Sequence, residues 1–78
     1  MTDYTPIDCG LHSEYELAIM RRQSLRLNWR DTQGIVHIGV YHPLDLRTRD
    51  GEEFMVVTDT EGRQLHIRLD RIMRYNPA

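Results

Sequence analysis

Five side chains in this sequence carry the chemistry of metal ligation or nucleophilic attack: Cys9, His12, His37, His42 and His66. Cys9-x-x-His12 has the spacing of half a zinc site, but a closed tetrahedral site needs a second close pair. His37 and His42 are five residues apart, so on a continuous strand they face opposite sides. His37 and His66 are expected to point outward as solvated strand histidines. As a nucleophile and base, Cys9 and His12 are the one candidate pair, but nothing builds an oxyanion hole and only Leu11 and a flexible Gly10 separate them. No phosphate-binding glycine loop, dinucleotide fingerprint or calcium loop occurs. These residues predict no metal, no cofactor and no small-molecule substrate, and point away from an enzyme.

The elements that must position these side chains are one short helix and a series of strands. Ser13-Glu14-Tyr15-Glu16 has the form of a capping box and predicts a helix from about Glu14 to Arg22. Glu14 and Glu16 then fall in its first turn, and Arg21 and Arg22 near its end, as the helix dipole favours. Ser24 to Arg30 alternates, setting Leu25, Leu27 and Trp29 against Arg26, Asn28 and Arg30. Ile35 to Tyr41 predicts a second strand with Val36, Ile38 and Val40 inward. His42-Pro43 is expected to interrupt it, because proline donates nothing to a ladder. Leu44 to Arg49 then forms a short third strand, and Glu53 to Thr58 an apolar strand placing Phe54 and Val56 in the core. Gln64 to Leu69 alternates with Leu65, Ile67 and Leu69 inward, and Arg71 to Tyr75 closes the chain. Asp31-Thr32-Gln33-Gly34 and Asp59-Thr60-Glu61-Gly62 are turns of the same chemistry, favoured over a duplicated hairpin. One helix followed by about five short strands predicts a mainly β fold, a small, strongly bent barrel with the helix over one open end.

At 78 residues the chain is expected to be a single domain, 1–78, with loose ends at 1–8 and 76–78. So small a domain devotes its apolar positions to one core, which places function on the surface. A lone cysteine makes no internal disulfide, and no stretch approaches the ~20 apolar residues of a membrane span. With no basic, apolar leader at residues 1–10, a cytoplasmic protein without membrane contact is expected. The net charge is −2 and all ten basic residues are arginine. Residues 1–20 carry Asp3, Asp8, Glu14 and Glu16 with no arginine, whereas residues 21–30 carry Arg21, Arg22, Arg26 and Arg30 with no acid. Such a polarised surface suits an oriented protein contact more than a uniform nucleic-acid footprint. Direct RNA binding would use Arg26 and Arg30 with Tyr41 or Tyr75 as stacking platforms, but the net negative charge opposes it.

Three pieces of sequence, taken in order, carry a resemblance: Tyr4-Thr5-Pro6-Ile7-Asp8-Cys9, Glu16-Leu17-Ala18 and Ile67-Arg68-Leu69-Asp70-Arg71-Ile72. The chain resembles the Rho-binding antiterminators, or Rof proteins, small bacterial inhibitors of the termination factor Rho. Their pattern is Y-x-P-I-[N/D]-C, then E-L-A, then L-R-L-D-[K/R]-I, with Ile67 here in place of the first leucine of the last piece. The likeness runs from about Tyr4 to Tyr75. It implies an Sm-like fold, an N-terminal helix on a bent five-strand barrel. It also implies binding to the RNA-loading face of Rho, so that transcript cannot engage and Rho-dependent termination is inhibited. Glu16 falls on the glutamate of the E-L-A piece and is the foremost implied contact, with Asp8 and Glu14 beside it. Gly10-Leu11-His12-Ser13 departs from the acids and tyrosine of the pattern, and the segment around His42-Pro43 is longer by about two residues.

Overall fold

The structure is a computed structural model that describes residues 3–78. Met1 and Thr2, part of the expected loose N-terminus, lie outside the described residues. A helix, α1 (Cys9–Met20), is followed by β1 (Leu25–Arg30), β2 (Val36–Arg49), β3 (Glu52–Thr58) and β4 (Gln64–Arg68). A single 3-10 turn at Leu69–Arg71 then leads into β5 (Ile72–Pro77). The strands form one antiparallel sheet in the order β4-β3-β2-β1-β5. β4 and β5 are its edges, so the sheet is open and the expected strongly bent barrel is not closed.

α1 begins five residues before the expected start, because Asp8 and not Ser13 is its N-cap. Asp8 Oδ2 accepts the amides of Gly10 at 3.1 Å and Leu11 at 3.4 Å. An aspartate ahead of the glycine supplies an earlier cap than the serine does. The helix closes with Arg22 N–H donating to the Ile19 carbonyl and Gln23 N–H to that of Ala18, the paired bonds of a Schellman ending. Asp8→Ala should therefore cost about 1 kcal/mol, seen as a lower melting temperature with a frayed first turn in amide exchange.

β2 runs through Pro43 without a break. The strand pairs with β1 from Val36 to Tyr41 and with β3 from His42 to Arg49, and the β3 register shifts between Pro43 and Asp45. Proline at the irregularity costs no ladder bond, and a bulge bends the strand so that one strand serves both halves of the sheet. The core encloses Leu25 and Leu27 of β1, Tyr41 of β2, Met55 and Val57 of β3, Ile67 of β4, Leu69, and Tyr15 and Ala18 of α1. Val56 is also buried, while Trp29 and Leu65 pack on the core partly covered and Phe54 is half-buried.

The first half of β2 faces the opposite way from the alternation reading. Val36 is 45% exposed and Ile38 is 70% exposed, and Val40 is half-buried. The turn decides this. Asp31 Oδ1 accepts the amides of Gln33 and Ile35, both at 2.9 Å, with Gly34 at φ 81°. That loop pairs Trp29 with His37, Leu27 with Gly39 and Leu25 with Tyr41. Directly opposed residues share a face, so His37, Gly39 and Tyr41 go inward and the aliphatics outward. His37 stacks on Trp29 at 4.5 Å, and Trp29 Nε1 donates to the Tyr41 hydroxyl at 3.0 Å. The Asp59 turn repeats the geometry, with Oδ1 accepting from Glu61 and Arg63 at 2.9 Å and Gly62 at φ 80°.

Described residues near both ends make contacts with the rest of the chain. Asn76 and Pro77 belong to β5, and the Ala78 amide donates to the Ser24 carbonyl at 3.0 Å. The N-terminal segment is tied to the β4 end, where Asp3 pairs with Arg68 at 2.7 Å and the Thr5 amide donates to Asp70 at 3.0 Å. Arg68 lowers the pKa of Asp3 from its usual 3.8, the His37 bond lowers that of Asp31, and the Arg63 amide lowers that of Asp59. Depressed carboxylates stabilise the fold above 3.8 and lose that contribution as pH falls through their folded values. Melting temperature should thus be flat near neutrality and decline below about pH 4, and Asp59→Asn should make the decline shallower.

Candidate functional site: an acidic groove beside the helix

With Tyr15 and Ala18 buried, the 3.6-residue period sets His12, Glu16 and Ile19 along one flank of α1, with Met20 beyond them. That flank faces Asp45, Leu46 and Thr48 of β2 and Glu53 of β3 across a groove of about 410 Å³. His12 stands between two carboxylates, with Nδ1 2.8 Å from Glu16 Oε1 and Nε2 3.1 Å from Glu53 Oε2. Neutral imidazole has one N–H, so only the imidazolium donates to both. The Tyr4 hydroxyl donates to Glu53 Oε1 at 3.1 Å. Burial, then the Glu53 carboxylate, pushes the Tyr4 pKa up to about 12, so the hydroxyl keeps its proton. Asp45 Oδ1 accepts its neighbour Leu46's amide and Oδ2 meets Arg47 at 3.3 Å.

Carboxylates and the apolar Ile19, Met20 and Leu46 line the groove together, which suits the charged head and aliphatic stem of arginine or lysine. His12 turns its nitrogens to carboxylates and is engaged there, while Cys9 is exposed at the helix start. Among the described residues no three His, Cys, Asp or Glu side chains converge in a way that would hold a metal.

The three residues expected as contacts do not form one patch. Glu16 lines the groove with its side chain 57% exposed. Glu14 is exposed but two residues away, about 160° around the helix from Glu16. Asp8 is engaged as the helix cap. Alternation and charge counting missed Asp45 and Glu53, which reach the groove from separate strands. The His12–Glu16 pair was legible as an i,i+4 spacing.

Two of the resembling pieces are joined to each other, Tyr4 and Thr5 of the first contacting Arg68 and Asp70 of the last. Arg68 pairs with Asp70 through Nε–Oδ1 at 2.6 Å and Nη2–Oδ2 at 2.9 Å. Its guanidinium lies 5.7 Å from the centre of the Tyr4 ring. Ala18 and Leu69 are core residues. The stacking platforms expected for RNA are not offered on the arginine strand face: Tyr41 is buried and Tyr75 packs edge-on against Tyr15 at 5.2 Å.

No protein-family profile and no curated protein matches this chain. Among solved structures it is similar to proteasome accessory factor B/C (PafBC) of Arthrobacter aurescens, with a TM-score of 0.78 and 20% sequence identity. The match covers 96% of this chain and 12% of that one, so the chain spans a small part of its structural neighbour. At that identity the likeness is one of fold. No helix among the described residues is long and apolar enough to cross a membrane.

Proposed function

We propose that this chain is a Rho-binding antiterminator that seats basic side chains of Rho's RNA-loading face in the acidic groove and so excludes transcript. The observation that carries the reading is the convergence of Glu16, Asp45 and Glu53 on one groove that apolar side chains also line. A surface that receives RNA phosphates is basic, and an anionic groove competes for the same arginines and lysines. The ordered motif pieces support the same assignment. On this reading the helix and the open, bent sheet are an Sm-like arrangement, in which one long bent β2 joins the two halves. The protein acts in the cytoplasm by binding, with no catalytic step. Direct RNA binding is disfavoured by the inward tyrosines.

The test is binding to purified Rho with and without competing RNA, over a salt series. Affinity should fall as salt rises, and RNA should displace the protein. Glu16→Gln should weaken binding a few-fold and Glu16→Lys by roughly ten- to a hundredfold, because a repulsion replaces an attraction. Glu14→Lys should have a smaller effect. Binding that ignores Glu16 but is lost in Arg26→Glu would sink the inhibitor reading and promote RNA binding instead.

A further inference from the structure

The outer face of the β5-β1-β2 half carries a second surface that the groove does not use. Arg26 and Arg30 point outward from β1, and Arg74 of β5 lies opposite Asn28. Across from them on β2, Val36 pairs with Arg30 and Ile38 with Asn28, the first partly and the second largely exposed. Met73 is 48% exposed, with its sulfur 3.8 Å from Arg30 Nη2. Within this face Asn28 Oδ1 is buried without a hydrogen-bond partner. Among the described residues Arg26, Arg30 and Arg74 pair with no carboxylate.

An aliphatic row rimmed by arginines, with no aromatic side chain on it, is poorly suited to stacking nucleic-acid bases and well suited to a protein with apolar and acidic groups. Such a surface is present on the same molecule. The groove offers Glu16, Asp45 and Glu53 around Ile19, Met20 and Leu46, a complement in both charge and apolar character. We propose that the arginine-rimmed sheet face of one copy docks on the acidic groove of a second copy. The contact is head-to-tail, so each added copy leaves one groove and one face open, and assembly grows into chains or closes as a ring. Because the groove is also the surface assigned above to Rho, a docked copy excludes Rho from that groove. This consequence rests on the proposed function, whereas the contact itself does not.

The test uses the purified full chain alone, without Rho, in sedimentation velocity across a roughly hundredfold concentration range at low and high salt. Mean mass should rise with concentration and fall with salt. Arg26→Glu and Glu16→Arg should each lower the association constant by at least about tenfold while melting like the parent. Arg74→Glu should act as Arg26→Glu does, which keeps the face testable if one substitution unsettles β1. Mixing the Arg26→Glu and Glu16→Arg chains should restore association that neither shows alone, because each retains the surface the other has lost. A parent that stays monomeric throughout, a variant set that associates unchanged, or a mixture that fails to associate overturns the proposal. Rho binding measured separately is untouched by any of these results.

Discussion

Leu27→Ala is expected to lower the unfolding free energy by about 3–5 kcal/mol, whereas Ile38→Ala should change it by no more than about 0.5 kcal/mol. Both are aliphatic residues at regularly alternating positions of adjacent strands, and pattern alone gives them the same weight. Leu27 has no exposed surface and sits opposite Gly39, where even a Cβ would come within 3.4 Å of the Tyr41 ring. Truncating it leaves a cavity that β1, paired on both sides, has little freedom to close. Ile38 is 70% exposed and has little contact to lose. In a domain this small, a loss of 3 kcal/mol moves the melting temperature by roughly 12–24 °C, so thermal melts separate the two cases plainly. Equal losses at both positions would return Val36, Ile38 and Val40 to the core and remove the outer face from consideration as an interface.

What was legible in the sequence followed from local chemistry. The glycine turns, the strand alternation of β1 and the existence of a helix each depend on residues within a few positions of one another. The β1–β2 register was not legible, because it turns on whether the turn closes at Ile35 or one residue later, and a one-residue slip exchanges the faces of the strand. Asp31 settles that choice by binding the Gln33 and Ile35 amides. His37 then reaches Asp31 Oδ2 at 2.8 Å while stacking on Trp29, which gives an inward polar residue a partner. The helix start was misplaced for a related reason. Two caps competed, and Asp8 captures the earlier amides, which frees Glu16 from a capping role. In the groove, Glu16 and His12 were within reach of a spacing argument. Asp45 and Glu53 were not, since they are 29 and 37 residues along the chain from Glu16 and only the fold brings them near. Open sheet edges also lie beyond a count of strands: whether β4 meets β5 depends on the path of the Leu69–Arg71 turn.

Arg68→Ala is expected to cost about 2–3 kcal/mol and to release the N-terminal segment. The Arg68 side chain is 11% exposed and that of Asp70 10% exposed, and their bidentate pair is the centre of a network. Arg68 also reaches Asp3 at 2.7 Å and Glu52 at 3.3 Å, and Asp70 accepts the Thr5 amide. Its pKa is raised, chiefly by the Asp70 and Asp3 bonds, so it remains charged at any working pH. Removing the arginine leaves the Asp70 carboxylate largely covered with the Thr5 amide as its remaining partner, and that uncompensated charge accounts for most of the expected cost. Asp70→Ala should cost less, about 1–2 kcal/mol, because Asp3 and Glu52 still face the guanidinium. The double variant should lose less than the two single losses combined, since neither charge is then stranded. Arg68→Lys should recover only part of the loss, because an ammonium cannot make the bidentate pair. Denaturant unfolding supplies the energies, and exchange of the Thr5 amide reports whether the segment has come away. The outcome bears on function through Tyr4, whose hydroxyl holds Glu53 at the groove. With the segment released, Glu53 loses that donor, and the groove should bind a basic partner with altered affinity while Glu16 stays in place. If Arg68→Ala left stability unchanged, Tyr4-Thr5-Pro6-Ile7 and Ile67-Arg68-Leu69-Asp70 would not be a structural clasp.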